Sequence, residues 1–153
     1  MLIGGAGYVG VMLAKKLLKD GYNVKIFDIF IYKSDLNSQK DIDLILGDIR
    51  DLKLLEKSLD EVDYVIHLAC ISNDPSFELN PTLGKSINFD PFETLIKVCI
   101  KKNIKRFIYA SSSSVYGLSE SHNVNEEHPM KPLTDYSKFK VECEKILSEF
   151  TSD

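Results

Sequence analysis

The run Gly4-Gly5-Ala6-Gly7-Tyr8-Val9-Gly10 constrains this chain more than any other stretch. Met1-Leu2-Ile3 leads into it and a periodic segment from Tyr8 to Lys19 leads out, which reads as a strand, a tight turn and a helix. Glycines are needed there because the turn demands φ > 0 and because a side chain would hold a pyrophosphate away from the backbone. The following helix presents free N–H groups and the positive end of its dipole to the phosphate. Two spacings are met together, Gly5-x-Gly7-x-x-Gly10 and Gly4-x-x-Gly7-x-x-Gly10. Taken alone the run also fits a plain structural glycine turn, so the other positions decide.

With 153 residues the chain is long enough for one domain with a real core. A net charge of −4 and the lack of a basic stripe argue against a nucleic-acid partner. No apolar run approaches the ~20 residues of a membrane span, and no signal-peptide pattern opens the chain, so no membrane partner is expected. Cys70, Cys99 and Cys143 are odd in number and lack a CxxC pair, which predicts buried thiols in a reducing cytoplasm rather than disulfides or zinc. His67, His122 and His128 are too scattered to form a metal site.

Along the chain, Val9, Leu13 and Leu17 recur as one inward stripe, and Asp20-Gly21 stops the first helix. Val24–Asp28 reads as a second strand ending in an acid. Asp28 lies 18 residues beyond Gly10, where a carboxylate would grip the adenosine ribose hydroxyls. No Lys or Arg follows it until Lys33, which favours NAD over NADP. Residues 30–41 read as a loop with room for a helical turn. Leu44–Asp48 is a third strand, Asp51–Leu59 a short helix with Leu52, Leu55 and Leu59 inward, and Tyr64–Ala69 an apolar fourth strand. Ser72–Pro75 reads as a loop. A helix starts at Asn80-Pro81 and runs through residues 82–102, with Pro91 kinking or breaking it. Arg106–Ala110 is the fifth strand, Ser111 to Ser114 a polar loop, and a last helix runs from Thr134 or Asp135 to about Phe150. Alternating strands and helices predict a doubly wound parallel α/β sheet.

Ligands of such a sheet sit beyond the carboxyl ends of its strands. The glycine turn, Asp28, the loop after Ala69 and the serines after Ala110 all map there. Tyr136 and Lys140 are four apart and share a helix face. A cation beside a phenol favours the phenolate, lowering a pKa that is ordinarily ~10 and making Tyr136 a general base or acid. Read without the rest of the chain, the same pair fits a solvated helix face.

Together these residues resemble the extended short-chain dehydrogenase/reductases, the NAD-dependent sugar epimerases and dehydratases, over the whole chain. The resemblance implies a Rossmann-like sheet of about five strands in the order 3-2-1-4-5, with residues 1–153 as the NAD(P)-binding domain. It implies a nucleotide-binding turn with cofactor contacts from Gly4, Gly7, Tyr8, Val9 and Gly10, a ribose acid in Asp28, and an adenine-contacting segment at Asp48-Ile49. His67-Leu68-Ala69-Cys70 is similar to the strand-four motif beside the cofactor, with Leu68, Ala69 and Cys70 in contact and His67 structural. Asn88 matches the helix asparagine, placed among the cofactor contacts. Ser112 stands four before Tyr116, like the catalytic Ser or Thr before Val-Tyr-Gly, and Tyr136 with Lys140 matches Tyr-x-x-x-Lys. The tyrosine then takes a sugar hydroxyl proton while hydride passes to NAD, and Lys140 also binds the nicotinamide ribose.

There are departures. Ile3 stands where Thr is usual, Cys70 where Ala or Gly is usual, and Pro91-Phe92 replace Gly-Thr. The resemblance also implies a substrate lobe for a nucleotide sugar, about as long again, which these 153 residues do not include. Family likeness predicts a homodimer through helices 82–102 and 135–150, with Leu95, Val98, Cys99, Val141 and Ile146 as its shared face, or else as core within one chain. Ser113-Ser114 stand where a 4,6-dehydratase carries Asp-Glu, which points to a 4-epimerase. The alternatives are a sugar reductase or dehydrogenase, or a dinucleotide-binding module without chemistry. A two-domain 2-hydroxy-acid dehydrogenase shares the glycine turn but gives no reason for Tyr136 and Lys140.

Overall fold

The computed structural model describes residues 1–32, 36, 41–120 and 123–150. Lys33 and most of the loop expected over residues 30–41 lie outside the described residues, as does His122. The chain divides into two compact units, Met1–Cys70 with Thr94–Ala110, and Ile71–Glu93 with Ser111–Asp153.

The first unit carries five parallel strands, β1 (Leu2–Ile3), β2 (Val24–Asp28), β3 (Ile42–Leu46), β4 (Tyr64–His67) and β5 (Arg106–Tyr109). Their order is β3-β2-β1-β4-β5, the expected one. β1 has only two residues yet holds the centre, with Leu2 opposite both Ile26 and Ile66. A central strand has neighbours on both sides, and Leu2 and Ile3 are accordingly buried. β3 begins at Ile42, two residues before the expected Leu44, because the ladder with β2 pairs Val24 with Ile42 and ends at Asp28 with Leu46. β4 stops at His67 rather than Ala69. The N–H groups of Leu68 and Ala69 both donate to the Ile3 carbonyl, at 2.8 and 2.9 Å, which takes the chain out of the ladder.

Helix α1 (Tyr8–Lys19) ends as expected. Gly21 adopts φ +87°, letting its N–H reach Leu18 O and that of Tyr22 reach Leu17 O, each at 3.0 Å. The expected inward stripe is corrected, because Val9 is 60% exposed while Gly10 and Ala14 are buried. Leu13 and Leu17 pack only partly, beside Val11 and Leu18. A Cβ on Gly10 would come within 2.5 Å of the Gly5 backbone, so the helix approaches the sheet through its smallest residues and turns Val9 outward. Helix α2 (Leu52–Ser58) is capped by Asp51, which accepts the Leu54 N–H at 3.0 Å, and buries Leu55 and Leu59.

In the second unit, Ser72–Pro75 is corrected from loop to the entry of a short helix, α3 (Asp74–Glu78). The Asn73 side chain caps it by accepting the Ser76 N–H at 3.0 Å, and Pro75 lies in the first turn, where its missing N–H costs nothing. Phe77 is fully buried and anchors it. The long helix does break around Pro91, into α4 (Pro81–Asn88) and α5 (Phe92–Lys101), most of α5 belonging to the first unit. Ser113–Tyr116 forms a single 3₁₀ turn rather than plain loop, with Ser112 as its cap, and α6 (Asp135–Glu149) closes the described chain. Leu95, Cys99 and Val141, expected on a shared dimer face, are buried within their own chain, and Val98 and Ile146 are half-buried. The apolar faces of α5 and α6 are therefore used first by the protein's own core. Among the described residues, no helix is long and apolar enough to cross a membrane and no cluster of His, Cys, Asp or Glu could hold a metal ion.

Candidate functional site

The glycines of the turn answer to different constraints. Gly4 has φ +80°, and a Cβ there would lie 2.4 Å from the Ala69 nitrogen, so the turn packs directly on the backbone leaving β4. Gly10 is similarly closed by Gly5. Gly7 is not: a Cβ on it would meet nothing nearer than Gly4 O at 3.6 Å, and its φ of −74° suits any residue. Gly7 is also the N-cap of α1, and no side chain caps that end. The first-turn N–H groups thus open onto a space where only a small residue stands, and Tyr8 beside it is 91% exposed. A cradle whose middle residue has room for a side chain and lacks one fits a diphosphate.

Asp28, at the end of β2, ties this turn down. Its Oδ2 accepts the Ala6 N–H at 2.9 Å and its Oδ1 accepts the Phe30 N–H at 2.8 Å, the chain folding back through φ +50° at Phe30. Each carboxylate oxygen retains a lone pair for a ribose hydroxyl. After β3, Asp48 accepts the backbone N–H of Arg50 at 2.9 Å and its guanidinium at 2.9 and 2.5 Å. Those hydrogen bonds hold the Asp48 carboxyl below its ordinary range. Ile49 is buried beside it, and Leu68, Ala69 and Cys70 are half-buried where the chain leaves β4. His67 is buried against the rings of Phe107 and Tyr109, with centroids 6.1 and 5.7 Å away, which is a packing role.

In the second unit Asn88 is buried with both ends of its amide engaged: it accepts the Ile71 N–H at 2.8 Å and donates to Ile71 O at 3.0 Å. Its side chain fastens the segment that follows Cys70. Tyr136 and Lys140 lie on the inward face of α6, 7% and 4% exposed, with Lys140 Nζ 5.8 Å from the tyrosine ring centroid. The solvated-face reading of this pair is therefore excluded. Ser112 is half-buried; its Oγ accepts the Ser114 N–H at 3.2 Å and lies 2.9 Å from Ser114 Oγ. The 3₁₀ turn that Ser112 caps packs against α6. Sequence reasoning placed the start of α6 at Thr134 or Asp135 but passed over Arg50 as the partner of Asp48 and over the reciprocal pairing of Thr134 with Ser137, although Thr-x-x-Ser ahead of an apolar run carries the spacing of a capping box.

A parallel sheet of order 3-2-1-4-5 behind an uncapped glycine turn defines a Rossmann-like dinucleotide-binding chain. The chain belongs to the NAD dependent epimerase/dehydratase family, which matches residues 1–153. Among curated relatives it is similar to the N-acetyl-alpha-D-glucosaminyl-diphospho-ditrans,octacis-undecaprenol 4-epimerase of Escherichia coli O157:H7, with 33% identity over 98% of this chain and 43% of that protein. Among solved structures it resembles the UDP-N-acetylglucosamine 4-epimerase of Methanobrevibacter ruminantium M1, with a TM-score of 0.88 and 31% identity over 97% of this chain and 49% of that one. The UDP-glucose 4-epimerase of Thermus thermophilus, solved with NAD, gives a TM-score of 0.89 at 25% identity over 97% of this chain and 49% of that one. The chain thus spans about half the length of the relatives it matches.

Proposed function

We propose that residues 1–153 form the cofactor-binding half of an NAD-dependent nucleotide-sugar 4-epimerase. The observation that carries this reading is the buried pairing of Tyr136 with Lys140, which a module that only binds a dinucleotide does not need. Gly4, Gly7 and Gly10 with the N–H groups of Tyr8 and Val9 would hold the pyrophosphate, Asp28 would hold the adenosine ribose, and Asp48 and Ile49 would take the adenine. Leu68, Ala69 and Cys70 would line the cofactor, and Lys140 would also bind the nicotinamide ribose. When bound, NAD supplies the acceptor for the hydrogen and electron pair that leave the sugar carbon, and the donor that restores them. Ser112 Oγ holds the oxygen of the reacting hydroxyl. Tyr136 Oη takes the proton from that hydroxyl and returns it as the alcohol re-forms, the Lys140 ammonium beside the ring favouring the phenolate form. Ser113 and Ser114 are poor acids and bases near neutral pH, which supports epimerisation over elimination of water.

The substrate is a nucleotide sugar, clamped by the half of the relatives that this chain does not span. Residues 1–153 alone should bind NAD in preference to NADP and turn over nothing. A homodimer and a cytoplasmic location belong to the same reading; Leu83, exposed on α4, is available for the dimer contact. The deciding experiment gives the natural full-length protein UDP-sugars with catalytic NAD and follows the products by NMR. A 4-epimer that disappears in Tyr136→Phe supports the reading. A 4-keto-6-deoxy product, or full activity in Tyr136→Phe, overturns it.

A further inference from the structure

We infer that α3 is a positioning element for Tyr136: Asp74 holds the cap of α6 and Phe77 holds the tyrosine ring. The inference rests on Tyr136 being the acid–base residue.

Tyr136 is the second residue of α6, within its first turn. That turn is closed by a reciprocal pair: Ser137 N–H donates to Thr134 Oγ1 at 3.2 Å, and Thr134 N–H donates to Ser137 Oγ at 3.1 Å. A Thr cap has one hydroxyl proton to donate. Here Thr134 Oγ1 donates it to the Asp74 carboxylate. This charge-assisted bond fixes the hydroxyl rotor and keeps the oxygen's lone pairs turned toward Ser137, which is fully buried with no solvent to substitute. The backbone beneath Tyr136 is thereby referred to a residue 60 positions earlier.

Phe77 lies three residues after Asp74, so both sit on the same side of α3. Its ring meets that of Tyr136 edge-on, with centroids 6.1 Å apart at 64°, and meets Phe139 at 5.9 Å. Phe77 has no room to retreat, because a Cβ on Gly84 of α4 would lie 2.5 Å from its ring. Asn73, which leads into α3, holds φ +66° and ψ 158°, a conformation costing roughly 1–3 kcal/mol in a non-glycine residue. Carboxylate and ring converge on one residue, one through the backbone and one through the side chain. Catalytic groups tolerate little displacement, about 1 Å costing up to ~100-fold in rate, so loss of either contact is expected to reach the chemistry.

The test uses the natural full-length protein with NAD and two probes, UDP-glucose and UDP-N-acetylglucosamine, in Asp74→Ala, Asp74→Asn, Phe77→Leu and Tyr136→Phe. Asp74→Ala and Phe77→Leu should each lower kcat about tenfold while KM stays within about twofold. Tyrosinate absorbance, read as the difference from Tyr136→Phe, should show Tyr136 titrating at higher pH in both variants. Asp74→Asn keeps an acceptor oxygen and should recover kcat to within about threefold of the parent. Unchanged kcat and unchanged titration in Asp74→Ala and Phe77→Leu would sink the inference, as would a loss confined to KM. If neither probe turns over, or a variant is too unstable to assay, the tyrosinate titration of the folded variants decides alone. Full activity in Tyr136→Phe removes the catalytic reading and this inference together, whereas an inactive Tyr136→Phe beside normal α3 variants removes this inference only.

Discussion

At its N-terminus α6 is sealed by its own chain, whereas α1 is left open. Thr134 and Ser137 satisfy each other's backbone N–H groups, and Asp74 binds the Thr134 hydroxyl. Asp51, Asn73 and Asn80 close α2, α3 and α4 in the same manner, each accepting an N–H from the first turn at 3.0 Å. Gly7 offers α1 nothing, although its dihedrals would accept a capping residue. A cap of this kind stabilises a helix by about 1 kcal/mol, so its omission is a cost in stability. A bound diphosphate would supply the missing acceptors, with more charge than any side chain carries. The ends closed by Asp51, Asn73, Asn80 and Thr134 hold elements in place, whereas that of α1 leaves first-turn N–H groups for which a bound anion is a suitable partner.

The sharpest way to break this comparison is to separate glycines that shape the turn from the one that keeps it open. Gly4→Ala drives a Cβ into the Ala69 backbone at a φ of +80°, and should lower stability by about 3 kcal/mol in chemical denaturation. Gly7→Ala should change stability by less than about 1 kcal/mol but weaken NAD at least tenfold by calorimetry, about 1.4 kcal/mol of binding. Equal affinity in that variant would mean that no phosphate approaches Gly7. Closing the open end directly is more telling. Gly7→Ser should cap α1 and raise the melting temperature by the equivalent of about 0.5–1 kcal/mol while NAD binding falls. Opening the closed end with Thr134→Ala should cost about 1 kcal/mol, most of it restored in Thr134→Ser.

Away from both ends, the smallest effect belongs to Arg50→Ala. The Arg50 hydrogen bonds depress the Asp48 pKa in the folded state, so their contribution is present above the unfolded carboxylate value of ~3.9 and is lost as pH falls through the lower folded value. The pair is partly exposed, so removing it should change stability by under about 0.5 kcal/mol near neutral pH, and by nothing in strong acid. Urea midpoints at pH 7 and in strong acid, below the folded-state value, would check both statements. Cys99 provides a contrast at the alkaline side. Burial pushes its thiol up to about 12, so its contribution is fully present below the unfolded value near 9 and is lost as pH rises toward 12.

Much of this was readable from residue order. Runs such as Val24–Asp28 belong to strands whatever surrounds them, because apolar residues in β-prone succession must be covered. Glycine turns, Asp20-Gly21 and Asn80-Pro81 mark helix ends through local backbone chemistry that needs no partner. Alternating elements pointed to a parallel sheet, and the family likeness implied its order 3-2-1-4-5. Tertiary structure decided matters that depend on what lies opposite. Val9 points outward because Gly10 rests on the Gly5 backbone, which periodicity in one helix cannot register. Leu95, Cys99 and Val141 carry the composition of an interface, and only packing assigns them to the protein's own interior. The same holds for Tyr136 and Lys140. Their spacing is a property of any helix, while the decision between a solvated pair and a buried one came from their burial in the folded chain, where the ring of Phe77, some 60 residues away along the chain, meets that of Tyr136.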